Sequence, residues 1–163
     1  MTIPVVESIA QELESRLQAM VGSALYTTTV VEVIRPTRNG NYTPLDGQIV
    51  LTYGSVEPVP ELMLPGEPVA LAWNQTFVIH LHVLTDEESQ EPIDLVVQQF
   101  AADVQKAVCI TGQDWHRFGG WAIDSEWQSL QLIVNDGGLD GVALYLKVLY
   151  RVSERDPTVV RLS

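Results

Sequence analysis

Basic residues are scarce in this chain. Its 163 residues include 9 lysines and arginines against 21 aspartates and glutamates, a formal net charge of −12 with histidine neutral. A surface of that sign repels phosphate, so neither direct nucleic-acid binding nor an anionic membrane is expected. The surplus either keeps copies apart in solution or steers the chain toward a basic partner, and composition leaves both open. Cysteine is nearly absent too. Cys109 stands alone, which excludes an intrachain disulfide. Its place in the apolar run Ala107–Ile110 predicts a buried, unreactive thiol. No apolar run approaches the roughly 20 residues of a membrane span. Met1–Pro4 lacks the basic and apolar parts of a signal peptide, so a cytoplasmic product is expected.

What the chain does have is an apolar fraction of 46%. At this length that suffices for a core in one domain, 1–163, without metal or disulfide. Val6, Ile9, Ala10, Leu13, Leu17 and Met20 recur three and four apart, which predicts an amphipathic helix over about 5–21, stopped by Gly22. The β-branched run 27–35 predicts a strand ended by Pro36. A polar loop, 37–47, leads to a second strand over 48–53. Pro58, Pro60, Pro65 and Pro68 make 54–68 an extended loop. A long strand follows over 69–84. Beyond an acidic turn, Pro92 opens a helix to about Val108, with Ile93, Val97, Phe100, Val104 and Ala107 on one face. Residues 112–126 read as irregular. Strands at 129–134 and 141–153 flank a hairpin turn at Asn135–Gly138, and a polar C-terminal arm is expected over 154–163. Strands joined by loops imply a mainly antiparallel β-sheet with the two amphipathic helices packed on one face: an α+β fold.

The chemistry is sparse. His80 and His82 fall two apart on a strand and so share a face, as zinc ligands sometimes do. The alternative is two histidines on the less buried face of the sheet. No Gly-x-Ser-x-Gly elbow accompanies Ser125 or Ser129. Gly137, Gly138 and Gly141 lie between strands without a lysine and read as a turn, not a phosphate loop. No catalytic residue, cofactor or metal is expected. Trp115, Trp121 and Trp127 fall within thirteen residues of irregular chain. They are either interface anchors or fillers of loops folded on the core. The long loops at 36–47 and 54–68 exceed what connection needs, and long loops on a rigid sheet often carry function. From loop exposure and residue type, Arg38, Asn39, Tyr42, Trp115 and Trp121 are the candidate interface residues.

An ordered set of short motifs goes further. Ile9-Ala10-x-x-Leu13-x-x-x-Leu17 leads into Val31-x-Val33-x-Arg35, and a Pro-rich loop precedes Phe77-x-Ile79. Phe100-x-x-Asp103-Val104-x-x-Ala107-Val108 follows. The chain closes on Leu144-Tyr145-Leu146-x-Val148-x-Tyr150-Arg151 and Asp156-Pro157. Over about residues 5–157 this resembles the tail terminator (tail completion, minor tail) proteins of long-tailed bacteriophages. The resemblance implies a non-enzymatic virion protein, assembled in the host cytoplasm, with no cofactor. It implies a homohexameric ring that caps the tail tube, stops its polymerisation and meets the head–tail connector proteins at the head-proximal end of the tail. A closed ring uses heterologous contacts. Two alternatives remain beside it: another connector, neck or tail tube subunit, and a small metal-dependent hydrolase built on His80 and His82.

Overall fold

The computed structural model describes residues 2–37, 40, 42–83, 90–109, 112, 114–135 and 138–161. Helix α1 spans Val5–Gln18 and starts after Pro4, whose extended backbone turns the chain into the first turn. It ends in a turn and Gly22, at φ 64°, a conformation that favours glycine. Val5, Ile9, Ala10, Leu13 and Leu17 are buried as the period predicts, and Arg16 is buried with them. Strand β1 is only Glu32–Ile34. Strand β2 runs Gln48–Pro58, a single 3-10 turn covers Pro60–Leu62, and β3 runs Ala70–His82. Helix α2 occupies Ile93–Cys109. A second 3-10 segment, Trp115–Gly120, precedes β4 (Asp124–Asn135) and β5 (Gly138–Ser153).

The strands form one sheet in the order β1-β2-β3-β5-β4. Every pairing is antiparallel except β1 with β2. This is an α+β fold. Phe77, Ile79 and Leu81 of β3 and Leu144, Leu146 and Val148 of β5 meet Ile9, Leu13 and Leu17 of α1 and Phe100, Val104 and Ala107 of α2 in one core. By alternation, Thr76, Val78, His80, Tyr145 and Lys147 lie on the opposite face.

Four expectations change. The strand expected over 27–35 shrinks to three residues because α2 claims the segment before it. The Asp103 carboxylate accepts the Thr28 N–H at 2.6 Å, and Lys106 Nζ donates to the Leu25 carbonyl at 2.6 Å. β1 is parallel to β2 because the loop between them carries the chain back along the strand's length, as a parallel pair requires. The Pro-rich stretch is not wholly irregular: β2 continues to Pro58. Val59 N–H donates to the Ala72 carbonyl at 2.9 Å, so the alternating ladder turns the Pro58 nitrogen to the open side, where its missing hydrogen costs no bond to β3. The segment 154–161 is not an extended arm. Val160 bridges Val152, and Val5 N–H donates to the Pro157 carbonyl at 3.1 Å, tying the C-terminal segment to both sheet and α1.

Candidate functional site

The open face of the sheet carries the histidine pair. Alternation along β3 sets His80 and His82 side by side, with ring centroids 4.3 Å apart. The loop before β2 folds over them: the Tyr42 hydroxyl hydrogen-bonds His82 Nε2 at 3.1 Å. His82 is thereby buried, more than a histidine left bare on an open sheet face would be. His80 pairs with Ala143 across the ladder and lays its ring over Gly141, where the absence of a side chain leaves it room, and among the described residues its buried Nε2 has no hydrogen-bond partner. Burial lowers the pKa of both rings, and the neighbouring His82 adds to the effect on His80. Asp140 opposes the shift on both, and burial, the larger cause, favours the neutral imidazole. A zinc centre needs a third and a fourth donor. Among the described residues no group of three or more His, Cys, Asp or Glu is placed to hold a metal ion. Asp86, Glu87 and Glu88, the acidic residues that follow β3 and could in principle add oxygens, lie outside the described residues.

The tryptophans divide. Trp73, Trp115 and Trp127 pack against the core. Trp115 stacks on Trp127 with centroids 6.2 Å apart, and its carbonyl accepts a hydrogen bond from Arg16 Nη1 at 2.8 Å. Trp121 is different: it is 38% exposed and edges a shallow surface cleft with Ile3, Ser8, Gln11 and Thr158. Tyr42 is comparably exposed while its hydroxyl holds His82. Arg38 and Asn39 lie outside the described residues. The candidate interface residues thus do not form one patch: Tyr42 is on the open sheet face, Trp115 in the helix-side core and Trp121 beside α1. Cys109, expected to be buried, is half-buried, and burial raises its thiol pKa.

Sequence reasoning missed two charged clusters. Arg16 falls in the apolar stripe of α1, three residues after Leu13, and that spacing was the available signal. Its guanidinium bonds Glu12, the Val108 carbonyl and the Trp115 carbonyl, and lies 4.6 Å from the Phe118 ring centre. The second cluster joins α1 to the sheet. Arg35 forms a bidentate pair with Glu7 at 2.7 and 2.8 Å, and the Tyr53 hydroxyl donates to Glu7 at 2.8 Å. The Arg35 hydrogen bond pulls the Glu7 pKa from 4.5 to about 2. Burial, then Glu7, pushes Tyr53 up to about 12.

That pairing sets an acid limit. A depressed carboxylate pKa contributes stability that is whole above about pH 4.5 and is lost as the pH falls toward 2. With a quarter of each side chain still in water, the contribution is discounted to about 2 kcal/mol. Glu7→Gln should therefore cost about 2 kcal/mol at pH 7 and nothing near pH 2. Urea titrations of both proteins across that range should converge; parallel curves would assign the acid loss to other carboxylates.

No family model matches the chain, and no curated protein matches it. Among the described residues no helix is long and apolar enough to cross a membrane.

Proposed function

We propose that this chain is a structural subunit of a bacteriophage tail, a tail terminator that closes into a ring on the end of the tail tube, stops its growth and meets the head–tail connector. The observation that supports it most is the element order. An amphipathic helix comes first, a second helix follows the sheet's central strand, and a long final strand ends in Tyr150-Arg151 before Asp156-Pro157. Those are the segments that carry the family resemblance. The scaffold suits assembly: helices clad one face of the sheet and leave the other open, and Trp121 on one side and Tyr42 on another offer unlike surfaces for heterologous contacts. With −12 per subunit, repulsion opposes ring closure at low ionic strength.

The test is tube capping. Purified protein added to polymerising tail tube protein should halt elongation, and light scattering at rising salt should show a mass that is a multiple of six chains. Tubes that elongate unchanged in its presence would remove the reading. Binding to connector proteins without any effect on tube length would favour the connector alternative.

A further inference from the structure

The two edges of the sheet are unlike. At the β1–β2 edge, pairing is discouraged in several ways. β1 is three residues long and contains Glu32. β2 bulges at Gly54–Ser55, ends in Glu57-Pro58, and turns a proline nitrogen outward. These are the devices by which sheets prevent edge-to-edge association. β4 has fewer of them. Among the described residues it pairs as a strand with β5 alone and is the outermost strand. From Trp127 to Val134 it contains no charge, no proline and no glycine, in a chain of net −12. Its ladder with β5 shifts register twice, at Gln128–Ser129 of β4 and at Asp140 of β5 opposite Ile133–Val134. Leu130–Val134 is therefore an uncharged run with no inserted residue of its own and, among the described residues, no strand on its outer edge, and Leu132 and Val134 on it are 47% and 62% exposed. Such an edge is a template for another strand.

We infer that β4 pairs with β4 of a second copy of this chain, antiparallel, about a two-fold axis at Leu132. Two observations select this occupant. The Leu130–Val134 stretch of the β4 edge carries no charged side chain, so two copies of it meet where neither of two strongly acidic chains carries charge. The opposite edge, with Glu57 and the Pro58 nitrogen facing out, is a poor acceptor for β4 in a head-to-tail arrangement. Leu132 is the midpoint of Leu130–Val134, so this register pairs all of the uncharged segment. The two sheets then continue as one, with Leu132 beside Leu132 of the second copy. The contact is isologous, distinct from the heterologous contacts of a ring, and it does not rest on the terminator reading; with a ring it pairs two rings.

The experiment is the mass of the full chain by light scattering over a concentration series, for the native protein, Leu132→Lys and Val56→Lys. Leu132→Lys places two ammonium groups opposite each other at an exposed position, and it should halve the native mass, to the 18.1 kDa single chain if no ring forms. Val56→Lys, on the other edge, should leave the mass unchanged. A second variant covers failure of the lysine variant to fold: Leu132→Cys on a Cys109→Ser background should give an interchain disulfide with an added thiol oxidant. A native single-chain mass throughout, a mass unaffected by Leu132→Lys, halving by Val56→Lys instead, or no disulfide at position 132 would each overturn the inference. Capping of tail tubes is read separately, so a chain that pairs at β4 but caps nothing keeps this contact and loses the terminator reading.

Discussion

Arg16→Ala should lower the stability of the fold by about 4 kcal/mol and its melting temperature by roughly 10 °C. Arg16 is 6% exposed and its guanidinium joins three elements. It anchors to Glu12 within α1 at 2.9 Å, caps the last turn of α2 through the Val108 carbonyl at 2.9 Å, and holds the Trp115–Gly120 segment through the Trp115 carbonyl at 2.8 Å. Truncation leaves two carbonyls without their donor, at about 1–3 kcal/mol each, and removes the cation over the Phe118 ring. Phe118 is the one described residue other than glycine with positive φ, at 45°. A conformation of that kind persists only where the surroundings impose it, and Arg16 above the ring is part of what does so. Thermal unfolding by circular dichroism would measure the loss, and near-ultraviolet signals of Trp115 and Trp127 should change even where the protein stays folded. Arg16→Lys should recover only part, because a single ammonium cannot reproduce the planar fork that reaches Glu12 and both carbonyls. A loss under 1 kcal/mol for the alanine variant would show that the tryptophan segment holds its place without the guanidinium.

Gly141→Ala should cost about 3 kcal/mol, unusually much for one methyl group, through overpacking between two strands. The backbone of Gly141 is ordinary extended chain, so the requirement is steric and not conformational. An alanine Cβ would sit 2.7 Å from the Leu81 carbonyl oxygen and would overlap the His80 imidazole. The ring can swing aside, but the carbonyl belongs to the β3–β5 ladder and can move only if the strands part. Combining it with His80→Ala should restore about 1 kcal/mol and no more, a coupling that a double-mutant cycle would measure. Full rescue by His80→Ala would mean that the imidazole alone sets the limit. No loss from Gly141→Ala would mean that the strands are free to separate.

The histidines illustrate how far periodicity reaches. A period of two places His80 and His82 on one face of a strand without any structure, and that face is the one away from the helices. Nothing in the spacing shows that Tyr42, forty residues earlier, closes over His82, or that a glycine on β5 makes the space for His80. The tryptophan cluster behaves likewise. Its density marked the segment 115–127 as unusual, yet whether a ring anchors an interface or fills a core depends on what lies across from it, and no local pattern shows that Arg16 meets the Trp115 carbonyl. The β4 edge was legible only in part: the run from Leu130 to Val134 reads as a strand, but that it is the outermost one follows from the strand order.

The sequence by itself determined the two amphipathic helices, the long β3 and β5, and the α+β class, because each rests on a local period of 3.6 or 2 and on Pro and Gly acting at their own positions. The tertiary structure alone decided the rest. It cut the 27–35 strand to three residues through Asp103 and Lys106, set β1 parallel to β2, and folded 154–161 back onto Val152. Those outcomes depend on hydrogen bonds between residues far apart along the chain, and a local pattern carries no information about which distant donor will satisfy a given backbone group.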